Sequence, residues 1–80
     1  MTREEVLKKV QNIFRDIFDE DDMIIEDKTS ADDIEEWDSL NHIILVGSIE
    51  KEFRVKFSLG ELVSLKNIGT MIDLTLEKIK

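Results

Sequence analysis

The sequence predicts an all-α fold, a small bundle of three main helices and one short helix. Apolar residues recur at helical spacing in three segments, and helix-capping residues precede each predicted helix. The 80 residues include no proline and only three glycines, the two residue types that most penalise helix interiors. Because a chain of this length has room for one core, we expect a single domain over residues 1–80.

The first helix is predicted from about Arg3 to Phe18. Thr2 and Glu5 have the spacing of a capping box. Apolar residues then follow at helical spacing: Val6, Leu7, Val10, Ile13, Phe14, Ile17 and Phe18. The helix should end where Asp19-Glu20-Asp21-Asp22 begins, because four carboxylates near a helix C-terminus repel one another and oppose the helix dipole.

Residues 23–38 lack a regular apolar period and are predicted to form a long loop. A loop of this length is unusual in a compact domain and commonly has a function. We expect Thr29 and Ser30 to cap a short turn. The expected anchors of the loop on the core are Met23, Ile24, Ile34 and Trp37.

Asp38 is a favourable N-cap, so the second helix is predicted from Ser39 to about Phe53. Its inward side chains should be Leu45, Val46, Ile49 and Phe53. Arg54-Val55-Lys56-Phe57 is interpreted as a link to a second capping box, Ser58 with Glu61, which begins a short helix ending near Leu65.

Asn67 is the expected cap of the last helix, whose last turn carries Lys78 and Lys80. Its inward residues are predicted to be Ile68, Met71, Ile72, Thr75, Leu76 and Ile79.

Charge and composition narrow the classes of function. A net charge of -8 repels phosphate backbones and anionic lipid, so we expect neither a nucleic-acid nor a membrane partner. The expected partners are proteins with basic surfaces. Without cysteine, the chain supplies no disulfide, thiolate metal site or thiol nucleophile. The N-terminus lacks the apolar core of a signal peptide, and the near-apolar run 43–49 is too short to cross a bilayer. A cytoplasmic monomer is therefore expected.

The tripeptide Asp38-Ser39-Leu40 is the most distinctive candidate site. It stands at a predicted helix start, between Trp37 and Asn41-His42-Ile43. A helix start exposes unpaired N–H groups and a partial positive charge, which can hold a phosphate ester on the serine hydroxyl. This segment, together with the helical pattern on both sides, resembles the phosphopantetheine site of acyl carrier proteins.

The resemblance implies an acyl-carrier-like bundle that is not an enzyme. A carrier protein synthase, the phosphopantetheinyl transferase, would attach 4'-phosphopantetheine from coenzyme A to Ser39. Acyl groups held as thioesters would then be presented to acyl-loading and acyl-processing enzymes, with fatty acid biosynthesis or lipid metabolism as the implied setting. By the same resemblance, Asp38 would help to bind the divalent metal used in loading, and Leu40 would offer an apolar contact to the loading enzyme.

The second helix departs from the pattern of fatty-acid carriers, which present acidic side chains there. Ile43 and Ile44 are consecutive and cannot both face the core, so an exposed apolar strip beside Ser39 is predicted. Extra packing against the loop 23–38 is the alternative. We predict partner docking in a specialised rather than a housekeeping pathway, through Asn41, Ile43, Ile44, Gly47 and Glu50.

Two other interpretations stay open, a carrier for amino acids or peptides and an acidic helical adaptor without a prosthetic group. A Ser39–His42 hydrolase would also need an orienting third group, an oxyanion hole and a pocket, so we predict no catalytic residue and a partly buried or partner-facing His42. No metal site is predicted either. An EF-hand register that starts at Asp19 places Ile24 at the glycine position and Ser30 at that of the bidentate glutamate.

Overall fold

The computed structural model describes residues 1–79 and confirms the predicted all-α fold. Its helices are α1 (Arg3–Ile17), α2 (Ser39–Phe53), α3 (Leu59–Ser64) and α4 (Ile68–Ile79). Helix α1 packs against both α2 and α4. Lys80, which was expected in the last turn of α4, lies outside the described residues. Within residues 1–79, no helix combines the length and the apolar character needed to span a membrane.

The helices begin where their caps predict. Thr2 Oγ1 accepts a hydrogen bond from the Glu5 backbone N–H at 3.2 Å, and Glu5 accepts one from the Thr2 N–H at 2.8 Å. Ser58 and Glu61 form the same reciprocal pair at the start of α3. The backbone N–H groups of Thr2 and Ser58 lower the pKa of Glu5 and Glu61 below the ordinary value, because they stabilise the charged carboxylates.

Helix α1 ends at the acidic run, as predicted. Phe18 is its C-cap, and Asp19 has a φ of 53°, a left-handed conformation that aspartate tolerates better than most residues. At the start of α4, Asn67 Oδ1 accepts from the Thr70 N–H at 2.8 Å, which confirms Asn67 as the cap.

The core contains the apolar stripes of the three long helices. All four predicted inward residues of α2 are buried, whereas in α4 Leu76 and Ile79 are only half-buried. The link 54–57 is more than a connection, because Val55 and Phe57 are buried on either side of the exposed Lys56. This alternation is typical of an extended chain with one face on the core.

The loop before α2 was predicted with one wrong anchor. Ile24 is 72% exposed, and Ile25, 2% exposed, is the residue that packs into the core. The Ile25 backbone N–H donates to Gln11 Oε1 of α1 at 3.0 Å, and Arg15 Nε donates to the Met23 carbonyl at 2.7 Å. These two bonds set the register that turns Ile25 inward. Trp37 is buried as predicted, and Met23 and Ile34 are half-buried.

Backbone hydrogen bonds attach the middle of the loop to the junction of α3 and α4. The Ala31 N–H donates to the Lys66 carbonyl, and the Ile68 N–H donates to the Thr29 carbonyl, both at 2.9 Å. Of the two expected turn caps, Thr29 Oγ1 accepts from the Glu26 N–H at 2.9 Å in a local turn, whereas the Ser30 hydroxyl donates to Asp33 Oδ2 and accepts no backbone N–H. The loop therefore follows a defined path to Trp37 and the start of α2.

Candidate functional site

Ser39 is the first residue of α2 and is exposed. The preceding residue, Asp38, is the N-cap, and its Oδ1 accepts from the Asn41 N–H at 2.8 Å. The cap begins the helix at this position, so the unpaired N–H groups of the first turn and the positive end of the helix dipole lie at Ser39. The hydroxyl therefore meets solvent at a helix N-terminus, the geometry that the sequence predicts.

Three of the other serine hydroxyls are engaged locally, and Ser48, within α2, is half-buried. Ser30 Oγ lies 3.3 Å from Asp33, Ser58 Oγ accepts the capping hydrogen bond from the Glu61 N–H, and Ser64 Oγ donates to the Glu61 carbonyl at 3.0 Å. Among the described residues, no side-chain or backbone group forms a hydrogen bond with Ser39 Oγ. Ser39 is therefore both exposed and without a hydrogen-bond partner among the described residues.

A surface cavity of about 500 Å³ lies beside Ser39, a size typical of sites for small organic groups. It opens between the end of the loop, the first turns of α2 and the end of α3. Its wall combines apolar side chains with two carboxylates and one ammonium group. The lining residues are Ala31, Asp32, Trp37, Asp38, Ser39, His42, Ile43, Leu62, Val63 and Lys66.

His42 is 9% exposed and is fixed by both ring nitrogens. Its Nδ1 accepts from Trp37 Nε1 at 2.9 Å, so Nδ1 is unprotonated. Its Nε2 then carries the proton and donates to the Leu62 carbonyl at 2.9 Å. Because neither nitrogen is directed at Ser39, the geometry does not support a Ser39–His42 catalytic pair. Of the two expectations for His42, a partly buried or a partner-facing ring, the structure agrees with burial, which is nearly complete.

Trp37 connects this polar contact to the core. Its ring stacks on His42 with centroids 6.0 Å apart and meets Phe14 of α1 edge-on at 5.1 Å. The sequence interpretation identified Trp37 as an anchor but missed its bond to His42. The sequence did contain a sign of this bond: Trp37 stands just before the predicted start of the second helix and His42 just after it, and both rings can form hydrogen bonds.

The apolar strip that was predicted beside Ser39 is present. Leu40, Ile43 and Ile44 are 68%, 66% and 46% exposed, so the alternative of packing against the loop 23–38 is not observed. Gly47 is also exposed on α2. On α3, Leu59 and Val63 are more than two-thirds exposed, and Val63 extends the apolar surface across the cavity.

The two remaining residues predicted for docking are held by the fold. Asn41 is half-buried, and its Nδ2 donates to the Glu36 carbonyl at 2.7 Å. Glu50 is half-buried too, and its Oε2 accepts from the Phe57 backbone N–H at 2.8 Å. Both side chains therefore have a structural role. In the part of the chain that is described, no three histidine or carboxylate side chains are grouped as a metal site.

Comparison with known proteins agrees with this geometry. The family model for the phosphopantetheine attachment site matches residues 8–75, a range that includes Ser39 and most of the chain. The chain is also similar to the holo acyl carrier protein from Geobacter metallireducens, whose structure was determined by solution NMR. The two are 44% identical, the match covers 92% of this chain and 85% of that one, and the TM-score is 0.85. No curated protein matches the chain significantly.

These matches disfavour an adaptor without a prosthetic group, because the family is defined by phosphopantetheine attachment. The chain therefore belongs to the acyl carrier protein family: it is a carrier built on a phosphopantetheine attachment domain, and not an enzyme.

Proposed function

We propose that the Ser39 hydroxyl accepts the 4'-phosphopantetheinyl group of coenzyme A in the reaction of a carrier protein synthase. An ester bond forms between Ser39 Oγ and phosphorus, the pyrophosphate bond of coenzyme A breaks, adenosine bisphosphate leaves, and the synthase takes up the hydroxyl proton. The observation that carries the proposal is the exposed, unengaged hydroxyl at the N-terminus of α2, within the range that matches the family. The attached group supplies a terminal thiol, on which acyl groups are held as thioesters.

The residues around Ser39 favour a phosphodiester at this position. The N–H groups and dipole of the 15-residue helix α2 stabilise a negative charge at its start by about 0.3–1 kcal/mol. Asp38 caps the helix while leaving a carboxylate next to Ser39, where it would help to hold the divalent metal used in loading. Leu40, 68% exposed, would contact the synthase. The cavity beside Ser39 gives room for the first part of an attached arm.

We further propose that partner enzymes dock on the strip formed by Leu40, Ile43 and Ile44, with Gly47 on the same helix. The strip is apolar. Most of the exposed carboxylates close to it in the chain precede α2, and one, Glu52, lies near the end of α2; those before the helix are Asp32, Asp33, Glu35, Glu36 and Asp38. A partner with an apolar contact surface and basic residues toward the loop would fit this arrangement. Docking raises the effective concentration of the tethered acyl group at the partner's active site. A specialised pathway accounts for the scarcity of acidic residues on α2.

Mass spectrometry after incubation with coenzyme A and a broadly tolerant synthase tests the attachment site. The wild-type chain should gain one arm, and peptide mapping should locate it on Ser39. Ser39→Ala should gain none, while Ser48→Ala, a matched serine in the same helix, should load like the wild type. Circular dichroism should show unchanged helicity in both variants, since alanine favours helices. A wild-type chain that stays unmodified while a known carrier is loaded would contradict the proposal.

The mass of the chain isolated from its own cell would identify the cargo. An acyl mass supports the acyl carrier function, whereas an amino acid or peptide mass would indicate the aminoacyl carrier instead. The single-domain, monomeric and cytoplasmic states stay predictions.

A further inference from the structure

The cavity beside Ser39 has an unbalanced set of charged residues. Two of its lining residues, Asp32 and Asp38, are acidic, and Lys66 is the only lysine or arginine that lines it in the described part of the chain. Lys66 directly follows Leu65, the C-cap of α3, whereas Ser39 begins α2. The cavity therefore brings the attachment serine together with one cationic residue from a different element.

The backbone of Lys66 is held in place, while its side chain is exposed. The Lys66 carbonyl accepts from the Ala31 N–H of the loop at 2.9 Å, and the next residue, Asn67, caps α4. One residue further on, the Ile68 N–H donates to the Thr29 carbonyl at 2.9 Å. The lysine side chain therefore starts from a fixed position beside the cavity, and its flexible four-carbon stem carries the ammonium group.

Lys66 has no ion pair among residues 1–79. The ion pairs in this part of the chain are formed by Arg3, Lys9 and Lys78. Lys66 forms none, although two acidic residues line the same cavity. Water alone can solvate an exposed ammonium group, so a lysine of this kind needs no partner. Its place beside the attachment serine nevertheless makes it available to a new anion.

Loading adds a phosphodiester, and thus one negative charge, beside two acidic residues of a chain whose net charge is -8. Like charges repel, and the start of α2, with about half a positive charge, offsets only part of this repulsion. In the described cavity wall, Lys66 is the cation that can offset the rest. We infer that Lys66 binds the phosphodiester of the loaded arm, together with the N-terminus of α2. This inference rests on the proposed attachment at Ser39.

Labelling with an amine-reactive ester tests the contact without an enzyme assay. Only the unprotonated amine reacts, so an ion pair that stabilises the ammonium form slows the reaction. Unloaded protein and loaded protein, the latter with its thiol blocked by iodoacetamide, are labelled briefly, and each lysine is quantified by mass spectrometry of peptides. Loading should slow the labelling of Lys66 by about two- to fivefold, as expected for an exposed ion pair. Lys56, an exposed lysine that does not line the cavity, should be labelled equally in both.

Salt distinguishes an ion pair from simple covering of the lysine by the arm. At about 1 M sodium chloride the charges are screened, so the difference between loaded and unloaded protein should largely disappear. Ser39→Ala, which has no attachment hydroxyl, should be labelled at the unloaded rate after the same incubation with synthase and coenzyme A. Equal rates in loaded and unloaded wild type, or a difference that salt does not reduce, would overturn the role of Lys66.

Thermal unfolding gives an independent measure of the same contact. Loading should change the melting temperature of Lys66→Gln less favourably than that of the wild type, by about 1–4 °C. Lys66→Arg, which keeps the charge, and Lys56→Gln, which removes one outside the cavity, should respond to loading like the wild type. An equal response of all four proteins would count against Lys66 alone. A wild type that fails to load, as seen in its mass before labelling, would overturn the attachment at Ser39 and the phosphate contact with it.

Discussion

Replacing Gly47 with alanine should stabilise the fold. Gly47 lies within α2, is exposed, and has no positive φ; a Cβ added there would meet no atom within 4 Å. Nothing in the packing therefore requires glycine. Since glycine in a helix interior costs about 0.8–1.0 kcal/mol relative to alanine, Gly47→Ala should raise the free energy of unfolding by about 1 kcal/mol. For a domain of this size the melting temperature should rise by about 4–8 °C.

Gly69 is the matched control, because it is also helical but has no free space. A Cβ at Gly69 would lie 3.1 Å from the Asp27 carbonyl oxygen, and the same oxygen accepts the Gly69 N–H at 3.0 Å. The crowded contact offsets the gain in helix propensity, so Gly69→Ala should give little or no stabilisation. The stabilities of both variants are measured by urea and thermal unfolding of the unloaded protein, followed by circular dichroism. A Gly47→Ala variant that is no more stable than the wild type would refute the reasoning.

Packing within the chain gives no reason for a glycine at position 47. A partner enzyme that approaches α2 closely at Gly47 would give one. Gly47→Ala should then raise the KM of an enzyme that docks on α2 and leave kcat nearly unchanged, because the added methyl group hinders association and does not touch Ser39. The carrier protein synthase provides the first assay. An unchanged KM would show that this enzyme does not contact Gly47. The same assay would then be carried out with acyl-processing enzymes.

Two further predictions concern the helix caps. Acidification should lower the melting temperature. The hydrogen bonds that lower the pKa of Glu5 and Glu61 stabilise the fold fully when the pH is above 4.5, the ordinary pKa of glutamate. This stabilisation is lost as the pH falls through the lowered pKa of the folded state. The double variant Glu5→Gln, Glu61→Gln should show a flatter profile of melting temperature against pH, and an equally steep one would contradict this origin. Asp38→Ala removes the acceptor of the Asn41 N–H, so its free energy of unfolding, measured in urea, should fall by about 1 kcal/mol. Asp38→Asn keeps an acceptor oxygen and should retain most of this stability. If the Asp38 carboxylate helps to bind the loading metal, Asp38→Asn should still be loaded more slowly, and a normal rate would argue against that role.

Helix starts could be predicted from the sequence because their determinants are local. Asp38, Ser58 and Asn67 each accept a hydrogen bond from the backbone three residues later, so the residue type and its spacing contain the information. The same locality made Ser39 predictable. Its exposure also depends on the rest of the fold, because Ile68 stands at the same place after the Asn67 cap and is fully buried.

The loop and the link after α2 could not be predicted in the same way. Ile24 and Ile25 are chemically identical neighbours, and the choice between them depends on a bond from Ile25 to Gln11, 14 residues away. Val55 and Phe57 show alternation over too few residues to indicate an extended segment, and Glu50 of α2 holds Phe57 in place. In both segments a side chain of a helix fixes the backbone of a distant residue, and the sequence pattern contains no sign of that contact.

The placement of His42 could be predicted in part. Its position three residues after Ser39 is local and places it about one helical turn deeper, or about 4.5 Å along the axis of α2. Its partners are not local, because one ring nitrogen contacts Trp37 of the loop and the other contacts Leu62 of α3. Helix α2 thus carries both Ser39 and His42 into the wall of the same cavity. The sequence therefore places His42 within one turn of Ser39, whereas the orientation of its ring in the cavity wall depends on two contacts from other elements, which the local pattern does not contain.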